Sequence, residues 1–398
     1  MDARKRALAR PANELELETS EECYKRMSRA VSFALICGLA ASASDAVVAA
    51  PSPTTLGSAI AGAAPKNSDD KNPRLIAKAE VLLARAHFSP GEIDGFDGDN
   101  FRNAVRAFQQ VNGLPVSGNL DARTWSALTT KDSAPVLKAY TISLADVSGP
   151  FTRAIPTNLV AMARLPGLSY TSAQAELAEK FHMSQSLLRQ LNPRADFARA
   201  GTEITVASVP EMNLRSGRRS VEVVPPQNAP KGSDDSLDVT IGIDKPARNL
   251  RVYDRDGKFL AFYPATIGSE EKPAPSGDFK VKGIVWNPDY QYDPKFAWKG
   301  VNTKRKLTVG PGPNNPVGVV WIDLTDPSYG IHGTPAPEDI GKTQSHGCIR
   351  LTNWDAVALA AMVRPDVVVR FEDQDTPVAP LSVPVSETGR PKLENKRP

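Results

Sequence analysis

Cysteine is scarce in this chain, with three in 398 residues: Cys23, Cys37 and Cys348. Three thiols cannot build a disulfide scaffold, and an odd number leaves at least one unpaired. Excess charge is missing too. The 48 Lys+Arg stand against 45 Asp+Glu, a net charge of +3, which excludes the basic stripe by which a protein grips nucleic acid. No apolar run reaches the roughly 18 residues of a membrane-spanning helix, so a polytopic membrane protein is excluded. Histidine numbers only four. Proline, by contrast, is plentiful at 34 residues, and the apolar fraction is a modest 41%. At about 150 residues per domain, the length fits two or three domains joined by linkers.

One apolar stretch stands out near the N-terminus, Val31 to Ala43, preceded by Lys25, Arg26 and Arg29. A basic flank, a short apolar core and a small-x-small end are the parts of a secretory signal peptide. The signal is placed at 27–50, with cleavage after Ala43 or Ala50. Residues 1–26 are long for a basic leader, which points to Met27 as the true start. Ile36 precedes Cys37 where a lipoprotein signal needs a small residue, which argues against lipidation. Residues 1–50 hold seven basic and seven acidic side chains, so their removal leaves +3 unchanged. It also removes Cys23 and Cys37, and the exported product keeps Cys348 alone. A periplasmic or cell-envelope location is expected, with no membrane span after signal cleavage.

Residues 51–73 are rich in Pro, Ser, Gly and Asp and read as a linker. Helical spacing then begins: Leu75, Ala79, Leu82, Leu83 and Ala86 fall on one face, followed by Phe101, Ala104, Val105 and Phe108, then Trp125 and Leu128. Asp94, Asp97 and Asp99 miss the alternating 1, 3, 5 positions of a calcium loop. A second unit at 138–208 opens on a strand at Tyr140–Ile142, continues through helices at 175–181 and 184–191, and closes on a strand near 201–206. His182 within it is expected on a helix surface. Residues 209–236 read as another linker. From Leu237 the period becomes two (Leu237, Val239, Ile241, Ile243), and further strands are predicted at 250–253, 259–263, 279–284, 319–324 and 367–371. One helix begins near Asn353, and 373–398 read as a disordered tail.

Two histidines bracket the lone exported cysteine, in Ile331-His332-Gly333-Thr334 and Ser345-His346-Gly347-Cys348-Ile349-Arg350. A free thiol with a pKa of about 8.5 is only a few per cent thiolate at neutral pH, so a proton-accepting imidazole makes it a strong nucleophile. Backbone N–H groups around Gly347 and Cys348 are candidate oxyanion donors, an effect worth on the order of a hundredfold or more in rate. Arg350 is a fixed charge suited to a substrate carboxylate. A zinc reading would use His332, His346 and Cys348 with Glu338 or Asp339, but a zinc-bound thiolate is quenched as a nucleophile, so no metal and no cofactor are expected. A structural cysteine is the remaining alternative. The residues alone do not choose between His332 and His346 as the base.

The stretches FSPGEIDGFDG and AVRAFQQVNGLPVSGNLDARTWSAL resemble the peptidoglycan-binding domain family, over 74–131. AELAEKFHMSQSLLRQLNP is similar to the LysM glycan-binding fold, over 138–208, although the stretch between Ile142 and Tyr170 is long for that family. YGIHGTPAPEDIGKTQSHGCIRLTNWDA resembles the L,D-transpeptidase (YkuD-like) catalytic domain, over 237–372, supported by Thr266-Ile267-Gly268, Pro273–Phe279, Asn287-Pro288 and Gly310-Pro311-Gly312.

The resemblance implies a multidomain α+β chain. A mostly-β catalytic domain, sandwich- or barrel-like, follows a small three-helix peptidoglycan-binding domain and a small LysM-like α/β module. It further implies Cys348 as nucleophile and His332 as general acid/base, oriented by the Gly333 carbonyl. Ser345, His346, Gly347 and Arg350 then shape the oxyanion and substrate site. The implied partners are peptidoglycan stem peptides and glycan, with an envelope protein as a further acceptor and no nucleic acid. The implied reaction transfers a stem tetrapeptide, less its terminal D-alanine, to an amine; a carbapenem adduct on Cys348 is expected as well. An L,D-carboxypeptidase or endopeptidase would use the same residues, and a non-catalytic wall-binding protein is the alternative outside enzymes.

Overall fold

The computed structural model describes residues 55–67, 70–212, 238–270, 272–296, 303–327, 329–345 and 347–373. The expected signal peptide at 27–50, the segment 1–26 and nearly all of the tail at 373–398 lie outside the described residues. So does most of the linker expected at 209–236. Its first residues are described, and Val209 and Met212 are buried. The linker expected at 51–73 needs correction: Thr55–Ala61 is a helix (α1) whose Ile60 is buried in the core of the module that follows. A segment this short carries too few apolar positions for its period to be read.

Pro73, pre-set for a first helical turn, and an Asn72 side chain accepting from the Arg74 N–H start α2 (Pro73–Arg85). Helices α3 (Asp99–Val111) and α4 (Ala122–Lys131) follow, the latter capped by Asp121. Their apolar stripes meet as expected, with Leu75, Leu83, Phe101, Val105, Phe108 and Leu128 in one cluster. Gln109 is buried with them and ties down the following turn, its amide oxygen accepting from the Ser117 and Gly118 N–H groups. Asp97 is engaged by Arg102 through two bonds of 2.8 and 2.7 Å.

The next unit pairs β1 (Leu137–Thr141) with β2 (Glu203–Ala207), antiparallel, Tyr140 opposite Ile204. Between them run α5 (Leu144–Val147), α6 (Leu159–Met162), α7 (Ala173–Lys180) and α8 (Gln185–Leu191). Leu177, Phe181, Leu188 and Val206 join the same apolar cluster as α2–α4, so the boundary expected between these two modules is no break in the core. His182 is not on a helix surface, as expected from sequence. It lies just past α7 at φ +59°, half-buried, and its ring stacks on Trp354 at 5.2 Å. The α7 helix ends one residue earlier than its polar–apolar pattern implied, and the left-handed turn swings this ring inward.

The C-terminal unit is mostly β, as its period-two pattern predicts. Its strands are β3 (Val239–Asp244), β4 (Asn249–Asp254), β5 (Phe259–Pro264), β6 (Thr266–Ile267), β7 (Gly277–Trp286), β8 (Tyr290–Tyr292), β9 (Leu307–Val309), β10 (Val320–Leu324), β11 (Gly330–His332), β12 (Ile349–Arg350) and β13 (Val368–Glu372). Nine of them form one sheet in the order β5-β4-β3-β13-β7-β10-β11-β12-β6, while β8 and β9 pair separately. Helix α9 (Asn353–Met362), capped by Thr352, packs Trp354, Val357 and Leu359 into the core of this sheet.

The N-terminal modules meet one edge of this sheet. Strand β5 is the edge, and the Ser89 N–H donates to the Phe262 carbonyl while the Phe262 N–H donates to that of His87, each at 2.9 Å. Phe88 stacks on Phe259 with centroids 4.8 Å apart. Unpaired edge groups invite aggregation, and this bridge satisfies part of the edge internally. The excursion between β1 and α7 makes a second junction. Leu168 donates to the Pro311 carbonyl at 2.8 Å and packs with Tyr290, Tyr292 and Val309. Here Gly312, at φ +134°, has a structural reason: a Cβ would lie 2.4 Å from the Leu168 carbonyl oxygen. Among the described residues no helix is long and apolar enough to cross a membrane.

Candidate active site

Strand register brings the candidate residues together. Strand β11 runs parallel to β12, with Ile331 beside Ile349 and His332 beside Arg350. Neighbours in register share a face, and alternation sends every second residue to the opposite side. Ile331 and Ile349 therefore enter the core, both fully buried, while His332 and Arg350 share the other face. Cys348, two residues before Arg350, enters from the loop that leads into β12. The strand that ends on His332 and the strand that follows Cys348, separated in sequence, are thus adjacent.

His332 is 3% exposed, and its Nδ1 lies 2.7 Å from the Gly333 carbonyl oxygen. A carbonyl only accepts, so this contact assigns the proton to Nδ1 and leaves Nε2 with the lone pair. The Trp321 ring, opposite His332 on β10, stacks on the imidazole at 5.4 Å. Burial, reinforced by the Arg350 charge, pushes the His332 pKa down to about 3 against the pull of the Gly333 bond. Burial also pushes the Cys348 thiol up, opposed by a backbone hydrogen bond from Gly330 and by the charges of Arg350 and Lys272. Both groups are therefore neutral at rest, and the proton must move when the thiol attacks.

The loop is held from several sides. Ser345 Oγ donates to the Cys348 carbonyl at 2.6 Å, and the Ser345 N–H donates to the Gly268 carbonyl at 2.9 Å. Gly347 stands at φ +101°, and a Cβ there would lie 2.8 Å from the Tyr329 ring. Arg350 donates to the Gln344 carbonyl at 3.2 Å, and burial lowers its pKa although Cys348, Tyr290 and Asp339 favour the charge. His346 lies outside the described residues. Among the described residues no three His, Cys, Asp or Glu side chains converge as metal ligands.

Three contributors escape sequence reading. Tyr290 on β8 lies within electrostatic reach of Cys348 and Arg350, and burial pushes its phenol up. Asn353, visible in the sequence only as a helix start, is fully buried behind Gly333: a Cβ on Gly333 would lie 2.1 Å from its Oδ1. Glu179, from α7 of the preceding module, accepts from Asn353 Nδ2 at 2.7 Å. No motif links these positions; only the fold does.

Burial raises the Glu179 pKa to about 8, with Glu92 and Glu176 adding to the rise and the bonds from Asn353 and Tyr170 opposing it. A carboxyl with a raised folded pKa keeps a proton that the unfolded chain has released. Its contribution is present below the ordinary glutamate range and lost as pH rises through about 8. In chemical denaturation, the unaltered chain should lose stability relative to Glu179→Gln between about pH 5 and about pH 9. A stability difference that stays constant with pH would contradict the protonated state.

Two parts of the chain match known families. Residues 238–378 match the model of the YkuD family, "L,D-transpeptidase catalytic domain", and residues 75–128 match "Putative peptidoglycan binding domain". A Bacillus licheniformis protein named "Putative L,D-transpeptidase YkuD" is 33% identical over 129 residues, 32% of this chain and 62% of that protein. Its Bacillus subtilis namesake is 27% identical over 188 residues, 47% of this chain and 85% of that protein. A solved L,D-transpeptidase from Mycobacterium smegmatis is 24% identical, covering 34% of this chain and 58% of that one, at TM-score 0.28. The chain thus spans about three-fifths of the first of these relatives. Residues 238–378 are a YkuD L,D-transpeptidase catalytic domain, joined in one chain to a domain of the peptidoglycan-binding family at 75–128.

Proposed function

We propose that the chain is an L,D-transpeptidase of the cell envelope that acts on peptidoglycan stem tetrapeptides through Cys348. The observation that carries this reading is the pairing of β11 with β12, which sets a buried imidazole, its Nδ1 held by the Gly333 carbonyl, on the same face as Arg350, two residues after Cys348. In the first half-reaction, Cys348 Sγ bonds to the carbonyl carbon that joins an L-centre to the terminal D-alanine. The thiol proton passes to His332 Nε2, and negative charge gathers on the carbonyl oxygen. Backbone N–H groups of Gly347 and Cys348 face that charge in this scheme. The C–N bond then breaks, His332 returns the proton to the leaving amine, and D-alanine departs from a thioester. In the second half, an acceptor amine attacks the thioester and gives a proton to His332; the C–S bond breaks as the new amide forms, and His332 returns the proton to the departing Cys348 sulfur.

Several residues fit supporting roles in this scheme. The Gly333 carbonyl keeps His332 in the working tautomer. Ser345 fixes the loop through the Cys348 carbonyl, and Arg350 offers a charge to the substrate carboxylate. His346, beside Gly347, belongs to the same substrate wall by family resemblance. The peptidoglycan-binding-type domain raises local substrate concentration by tethering the enzyme to the wall. Glycan binding by the 138–208 module would add to that tether. The signal peptide at 27–50 would deliver the chain to the periplasm, where an envelope protein lysine is an alternative acceptor.

Incubation of the full chain with disaccharide-tetrapeptide, followed by mass spectrometry of products, tests the reaction. A 3–3 linked dimer with free D-alanine supports transfer. A tripeptide alone would make the protein an L,D-carboxypeptidase, and unchanged substrate would leave only a non-catalytic wall-binding role.

A further inference from the structure

Helix α7 is amphipathic in two directions. Leu177 and Ala178 face the core shared by the N-terminal modules, whereas Glu179, next in sequence, turns to the catalytic domain. Its Oε1 accepts from Asn353 Nδ2 at 2.7 Å, and the Pro313 carbonyl lies 3.2 Å from the same nitrogen. The Asn353 Oδ1 accepts from the Val319 N–H at 3.2 Å. Acceptors on one side and a donor on the other fix which way the amide points. That oxygen then occupies the space that side chains would need at both Gly318 and Gly333, where an added Cβ would meet it at 2.1 Å. The Gly333 carbonyl is in turn the partner of His332 Nδ1 at 2.7 Å.

A short path of contacts therefore runs from α7 to the imidazole: a hydrogen bond joins Glu179 to Asn353, the Asn353 amide packs closely against the Gly333 backbone, and a hydrogen bond joins the Gly333 carbonyl to His332. It is anchored independently at the Leu168–Pro311 junction and at the Phe88–Phe262 bridge, so α7 has a fixed place on the catalytic domain. We propose that Glu179 is a positioning residue for the transpeptidase site, acting through Asn353 to hold the Gly333 carbonyl where it orients His332. The module at 137–207 is then a structural part of the active site as well as a tether. This inference rests on the reading of His332 as the base.

The test uses the full chain and three variants: Glu179→Ala, Glu179→Gln, and Glu92→Gln, the last altering a neighbouring carboxyl with no bond to Asn353. Two quantities are read: steady-state turnover of disaccharide-tetrapeptide, and the rate of Cys348 alkylation by iodoacetamide at neutral pH. Glu179→Ala should lower kcat about tenfold with KM within about twofold, and slow alkylation by a similar factor, because a small misplacement of a catalytic group costs rate without weakening binding. Glu179→Gln keeps the acceptor oxygen and should return both values to within about twofold of the unaltered chain. Glu92→Gln should change neither. Equal losses in Glu179→Ala and Glu179→Gln, no loss in either, or the same loss in Glu92→Gln would overturn the proposal. Should Glu179→Ala fail to fold, Glu179→Gln still decides, since an inactive Gln variant contradicts a role for the acceptor oxygen. If the unaltered chain leaves the tetrapeptide intact, the proposed reaction fails, yet the alkylation rates still report whether Glu179 positions the site.

Discussion

Replacing Cys348 by alanine is expected to abolish release of D-alanine and every product derived from the tetrapeptide, a loss on the order of 10⁴-fold or more. No other described cysteine is present to take over, because Cys348 is the free thiol of the described chain. The fold should survive. The substitution removes one sulfur from a half-buried position, and the bond that holds the loop runs from Ser345 Oγ to the backbone carbonyl, which alanine retains. Sedimentation with purified wall should therefore match the unaltered chain while turnover disappears. Residual turnover within a factor of ten would remove Cys348 from the chemistry.

Replacing His332 by glutamine is expected to lower kcat by about 10² to 10⁴, the range supplied by a positioned acid–base group. The reason is the resting state. With the imidazole pKa held down near 3 and the thiol pushed up, no preformed ion pair supplies thiolate, and each attack needs its own proton transfer. The same depression has a consequence for pH. An unfolded chain protonates His332 near the ordinary histidine range, whereas the folded chain stays neutral to about 3. Its contribution to stability is complete above the ordinary range and is lost as pH falls through about 3. Glutamine has no such titration, so the stability of the unaltered chain relative to His332→Gln should fall on acidification from about pH 7 to about pH 4. A kcat unchanged by the substitution would return the base role to His346, the alternative that sequence alone leaves open.

Much of the site is legible in sequence because its chemistry is local. Cys348 carries its glycine, serine and arginine within a few residues, and family resemblance links that loop to His332, whereas strands β11 and β12, three and two residues long, are too short to be predicted from alternation. The helices α2–α4 are legible for a similar reason, since Leu75, Leu83, Phe101 and Phe108 repeat at helical spacing. What the sequence hides is contact at long range. Glu179 and Asn353 meet across 174 positions, and neither sits in a pattern that periodicity registers. Tyr290 reaches the site from a three-residue strand, too short for alternation to show. The bridge between Phe88 and Phe262 is equally silent, because a single backbone pair needs no particular side chain. The expectation of a boundary between the two N-terminal modules did not extend to their core, which is continuous. Linker-like composition at 51–73 conceals a helix, and the two N-terminal modules share a core because residues far apart bury one another.

The most direct test of Cys348 as the acylated nucleophile is the intact mass of the protein, quenched in acid during reaction with disaccharide-tetrapeptide. The expected species is heavier by the substrate less one D-alanine, and proteolysis places the added mass on the peptide containing Cys348. Release of D-alanine with Cys348 unmodified at every time point, or an adduct on another residue, would contradict it.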